Sequence, residues 1–100
     1  MSDTRITLDT TVVAAPSQVS TRVSDEAVIL NLRDGVYYGL ESVGARVWEA
    51  LGEPRPVREI RDALVAEFDV EAERCERDLV ELLAELHDRG LVEVRDASAA

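Results

Sequence analysis

The sequence predicts an α+β domain of winged-helix-like layout: a three-stranded antiparallel sheet followed by three α-helices. Two observations carry this. Apolar residues alternate over 19–40 and recur at helical spacing after Ser42. Asp34-Gly35 stands between the apolar runs 28–32 and 36–40, a hairpin signal because glycine tolerates the positive φ of tight turns. A length of 100 residues with 46% apolar content suits one folded domain.

Residues 1–18 are polar and rich in Thr and Ser, with short apolar interruptions at Ile6, Leu8 and 12–15, and Pro16 bars regular pairing. This predicts a flexible N-terminal segment over 1–18, a domain over 19–94 and a flexible tail over 95–100. Val19, Thr21 and Val23 alternate with polar neighbours as a half-buried strand does, and Ser24-Asp25-Glu26 supplies a turn. Strands near 19–23, 27–32 and 36–40 then form a meander with the third strand at an edge. A two-residue Asp34-Gly35 loop would split the apolar side chains between two faces. A three-residue loop beginning at Arg33 pairs Leu32 with Val36, Leu30 with Tyr38 and Val28 with Leu40 on one face. Ile29, Asn31, Tyr37 and Gly39 are expected on the other.

Ser42 suits an N-cap, and Val43, Val47, Trp48 and Leu51 mark a short first helix ending near Gly52. Pro56 suits the first position of a second helix, whose stripe is Val57, Ile60, Leu64 and Phe68. Asp69-Val70 break it. A third helix starts near Glu71 with Ala72, Cys75, Leu79, Leu82, Leu83 and Leu86 within about 80° to 100° of arc, and Asp78 on its margin. Gly90-Leu91 is a Schellman-type stop, followed by a short extended segment over 91–94.

The net charge of −10 opposes binding to nucleic acid or an anionic membrane. A winged-helix DNA-binding regulator is the alternative for this element order, but the third helix carries seven acids against three arginines, a net of −4 where phosphates would lie. Cys75 and His87 are each the sole residue of their kind, so neither an internal disulfide nor a cysteine-based metal cluster within one chain is possible. Cys75, on an apolar stripe, is expected to be inert. No secretory or membrane-spanning stretch occurs, so the expected compartment is the cytoplasm, and neither an enzyme activity nor a cofactor is expected.

What remains is the edge strand. It lacks the charge or proline that normally blunts an edge, and it carries Tyr37 and Tyr38, residues that bury interface area at low entropic cost. An extended peptide could join it as a further strand. Dimerisation through the same edge stays open, as does docking to a larger enzyme without peptide.

The residues 27–40, then Gly44-Ala45-Arg46-Val47-Trp48, then Asp78 through Leu86 and Gly90-Leu91-Val92 resemble the PqqD family, and within it the stand-alone leader-recognition proteins of lasso-peptide biosynthesis. The likeness spans about 19–94; Glu41 departs from the Asn usual after that leucine. It implies a RiPP recognition element, a non-catalytic domain that holds the leader of a ribosomally made precursor along the third strand and delivers it to a partner leader peptidase. Carried over, the strand edge is Val36, Tyr37, Tyr38 and Gly39. The groove wall is Cys75, Asp78, Leu79 and Leu82, with Asp78 able to hydrogen-bond a polar or tyrosine side chain of the leader.

Overall fold

A computed structural model describes residues 6–95; the loose ends expected at 1–5 and 96–100 lie outside the described residues. The elements are β1 (Thr11–Ala14), β2 (Gln18–Val23), β3 (Glu26–Asn31), β4 (Tyr37–Glu41), α1 (Val43–Ala50), β5 (Arg55–Pro56), α2 (Val57–Phe68), α3 (Ala72–Asp88) and β6 (Val92–Arg95). The expected three-stranded antiparallel sheet, ordered β2-β3-β4, and the three helices after it are present, with β4 at an edge.

A second antiparallel sheet, ordered β5-β1-β6, uses residues that the sequence assigned to a flexible segment. Thr11 lies opposite both Pro56 and Arg95, and Val12 is fully buried. Four apolar residues ahead of a proline carry no local signal of pairing. The partners of β1 come from far down the chain, so its stability is a tertiary effect that periodicity does not register.

The hairpin register also differs from expectation. Ala27 pairs with Leu40, Ile29 with Tyr38 and Leu30 with Tyr37, which makes the loop four residues, Leu32 to Gly35. The Gly35 N–H closes it on the Asn31 carbonyl at 2.8 Å, with Gly35 at φ 71°. This slip turns β3 over: Ala27, Ile29 and Asn31 face the core beside Tyr38 and Leu40, while Val28, Leu30 and Leu32 take the outer face. The apolar run is two-sided, so alternation could not choose between registers. The choice is made by Asn31, whose side chain finds two partners inside (below), where the aliphatic residue at 30 or 32 would leave those backbone groups unpaired. Val19, Thr21 and Val23 consequently lie exposed on the outer face of the sheet, and are not half-buried.

α1 and α2 bury Ala45, Val47 and Trp48, and Val57, Ile60 and Leu64. Phe68 is half-buried. Ser42 occupies the N-cap position of α1, but with φ 48° and no side-chain cap; its N–H donates to the Asp25 carbonyl at 3.2 Å, tying the helix start to the β2–β3 turn. Pro56 caps α2 in an extended conformation, one position before the one its ring suits best, because β5 ends there. Cys75, Leu79, Leu83 and Leu86 form the buried stripe of α3, whereas Ala72 is exposed and Leu82 half-buried. The Leu91 N–H bonds the Leu86 carbonyl at 2.9 Å and Gly90 has φ 79°, which is the Schellman stop; Leu91 is wholly buried.

Candidate peptide-binding edge

In an antiparallel ladder, bonded pairs alternate along the strands. The Asn31 N–H donates to the Val36 carbonyl at 3.0 Å, so the pairs Ile29–Tyr38 and Ala27–Leu40 are the bonded ones. The backbone groups of Tyr37, Gly39 and Glu41 therefore point away from β3, towards the free edge. Val36 offers nothing there: it precedes β4, its carbonyl is taken by Asn31 and its N–H donates to Asp34 Oδ1 at 2.9 Å. Tyr37 is 68% exposed on the outer face, and a Cβ added at Gly39 would meet nothing within 4 Å. An approaching strand has backbone partners at three alternate residues and no steric obstacle between them.

Tyr38 and Leu40 point the other way, into the space between β4 and α3. Leu40 packs under Gly44, where an added Cβ would come within 3.5 Å of it, so α1 starts close over the strand. The Arg89 guanidinium sits 5.0 Å from the Tyr38 ring centroid, a cation–π stack that joins the end of α3 to the start of β4. The neighbouring Tyr38, and after it the Glu85 carboxylate, push the Arg89 pKa above its ordinary value. Behind this contact Asn31, 2% exposed, donates from Nδ2 to the Arg89 carbonyl and accepts the Arg33 N–H on Oδ1, both at 2.9 Å.

Further along α3, Cys75, Asp78, Leu79 and Leu82 line a cavity of about 650 Å³ with Val43, Val47, Leu64 and Phe68. Its lining is mainly apolar, rimmed by Glu71, Arg74 and Asp78. Cys75 is 8% exposed at its floor, and burial pushes its thiol pKa up, which keeps it protonated and unreactive. Leu79, 3% exposed, is a core residue that only grazes the cavity, whereas Leu82 is open to it and Asp78 is exposed at its mouth. The structure thus gathers Cys75, Asp78 and Leu82 beside the start of α1, with Leu79 beneath them and Tyr38 at the other end of the same wall. Tyr37 and Gly39 serve the edge through their backbone. The sequence reading missed Glu41 as an edge residue and Arg89 as part of the wall. Arg89 was legible in principle, since the helical turn from Asp78 brings it back to the same face within about 20°.

Among the described residues, no helix is long and apolar enough to cross a membrane, and no group of three or more His, Cys, Asp or Glu residues is placed to hold a metal ion. The free β4 edge offers an extended chain backbone partners, and the apolar cavity that begins at Val43 lies just past the strand's end.

The comparisons with known proteins agree with this geometry. No curated protein matches the chain. Two solved structures do: "TbiB1 in Complex with the TbiA(beta) Leader Peptide", 40% identical with a TM-score of 0.77, covering 81% of this chain and 94% of that one; and "Lasso peptide synthetase B1 complexed with the leader peptide", 23% identical with a TM-score of 0.73, covering 82% and 96%. The second, at that identity, speaks to the fold alone. The model of the family described as "Coenzyme PQQ synthesis protein D (PqqD)" matches residues 26–92, from the start of β3 into β6. With most of the chain covered and the elements in the same order, this protein belongs to the PqqD family.

Proposed function

We propose that the protein is a non-catalytic leader-recognition domain of ribosomal-peptide maturation, of the lasso-peptide type, binding the leader of a precursor by strand addition to β4. The observation that carries the reading is the free edge of Tyr37, Gly39 and Glu41, with an apolar cavity between α1, α2 and α3 that begins at Val43, two residues past the strand. It is supported by the 40% identical TbiB1, whose structure holds a leader peptide. Backbone pairing along β4 supplies affinity, and side-chain contacts with the cavity past the strand's end supply selectivity. The bound precursor is then presented to a partner leader peptidase. The work is done in the cytoplasm, where a ribosomal precursor is made.

A regulator that binds DNA has no support here. Asp78, Glu81, Glu85 and Asp88 line the open side of α3 and would meet phosphates.

The test is fluorescence polarisation of a labelled leader peptide, from the precursor encoded beside this protein, titrated with the full chain. Saturable binding that a scrambled leader lacks is the expected result. Absence of leader binding by folded protein would overturn the reading.

A further inference from the structure

Strand β4 becomes helix α1 at a single residue, Ser42, with no loop between them. The Ser42 N–H closes the β3–β4 ladder on the Asp25 carbonyl at 3.2 Å, and the Ser42 carbonyl opens α1 by accepting the Arg46 N–H at 3.1 Å. Serving both elements puts Ser42 at φ 48° and ψ −115°. That region suits glycine, because a Cβ there crowds the neighbouring backbone. Ser24, at φ 60°, is a second residue of this kind, and it forms the turn that carries Asp25. Two serines with left-handed φ thus meet at one carbonyl.

The serine hydroxyl does not explain its presence. It makes no capping bond to α1, although that bond is what usually favours serine at a helix start. Strain of this kind persists only where the surroundings hold the backbone from several sides. Here Asp25 holds the N–H and Arg46 the carbonyl, and α1 presses on the strand where a Cβ added at Gly44 would come within 3.5 Å of Leu40. Ala45, next in the helix, is wholly buried.

What this corner fixes is the end of the free edge. A trans peptide is planar, and its C=O and N–H point in opposite directions. The plane joining Glu41 to Ser42 has its N–H on Asp25, on the β3 side, so the Glu41 carbonyl is aimed at the free edge. It is the last acceptor an added strand can reach, since Ser42 gives its own carbonyl to α1.

We propose that Ser42 is a positioning residue for strand addition. Its constrained corner holds the Glu41 carbonyl in line with the outward groups of Tyr37 and Gly39, so an incoming peptide meets three aligned edge residues and its pairing stops at Glu41. The Cβ lowers the stability of the free domain and narrows the corner to one conformation, which is pre-organisation of the edge. Glycine at this position would fold with less strain and bind less well.

This inference rests on the leader reading, and its test separates the two. Full-length wild type, Ser42→Ala and Ser42→Gly are compared by thermal melting, by polarisation with the labelled leader, and by hydrogen exchange of the leader's amides in the complex. Wild type should slow alternate leader amides, those that bond the carbonyls of Tyr37, Gly39 and Glu41. Ser42→Ala keeps the Cβ and should match wild type throughout. Ser42→Gly should melt higher yet bind about two- to fivefold more weakly, the range set by glycine's extra backbone freedom. In that complex the leader amide at the Ser42 end should exchange faster, with the other two unchanged. A glycine variant that melts lower, or that binds as tightly as wild type with all three amides slowed alike, overturns the role of Ser42 and leaves leader recognition intact. Lost affinity in Ser42→Ala overturns it too, because the hydroxyl would then be a contact. A wild type that binds no leader and slows none of its amides removes both readings.

Discussion

Asn31 Nδ2 donates to the carbonyl of Arg89 at 2.9 Å, so the last residue of β3 holds the residue that ends α3. The same side chain accepts the Arg33 N–H, which fixes the β3–β4 loop. Strand edge and helix wall are thereby set against one another by a single buried amide. Asn31→Ala removes both bonds and strands two backbone groups, a loss of about 1–3 kcal/mol. Urea unfolding should show that destabilisation, with leader affinity falling as well. An unchanged midpoint would mean the amide is not the clamp.

The direction of each backbone group in β4 gives a sharper test. Gly39→Pro removes an outward N–H and adds a ring into open space, and an edge strand accepts proline there. Leader binding should weaken more than tenfold in polarisation titrations while the circular dichroism spectrum is kept. Tyr38→Pro instead deletes a donor bonded to β3 and should unfold the sheet. Equal behaviour of the two variants would contradict the assigned alternation.

Leu79 and Leu82 are neighbours in the sequence reading and should separate by measurement. Leu79 is 3% exposed, so Leu79→Ala should cost about 2–5 kcal/mol of stability, like other large-to-small core changes. Leu82, half-buried at the cavity, should lose less stability and more affinity when cut to Ala. Thermal melts beside peptide titrations distinguish them.

Asp78→Ala should weaken the leader without unfolding the domain, because the carboxylate is exposed and poorly paired. If melting temperature drops and affinity holds, Asp78 is structural.

Burial raises the Cys75 pKa above its ordinary 9.0. The thiolate is therefore scarcer in the folded than in the unfolded protein at any pH near 9, and stability should fall as pH rises through that region, where the unfolded state has already released the proton. Alkylation by iodoacetamide at pH 8 should be slow in folded protein and fast in urea. Rapid modification of the native thiol would place Cys75 outside the core.

The helices were legible because each has a one-sided stripe: Val57, Ile60 and Leu64 in α2, and Cys75, Leu79, Leu83 and Leu86 in α3, are buried as their spacing requires. The edge position of β4 followed from strand order alone. The β3 register was not legible, since Val28 to Leu32 is apolar on both faces and the deciding residue was polar. Asn31 reads as a surface residue until the Arg89 carbonyl is brought beside it. The same holds for β1, whose partners Arg55, Pro56 and Val92–Arg95 are remote in sequence. Of the proposed site, Tyr37, Gly39, Asp78 and Leu82 sit where a peptide could meet them; Val36 has both main-chain groups occupied and Leu79 lies beneath the surface.

Because β1 runs antiparallel to β6, with Thr11 opposite Arg95, two segments more than eighty residues apart are locked side by side. A unit built this way is a candidate for circular permutation at the exposed turn Ser24-Asp25, with a linker long enough to span the residues ahead of β1, where Ile6 is buried beside α3. In such a cassette the β4 edge keeps its covalent surroundings, since neither junction interrupts the stretch from β3 to α3.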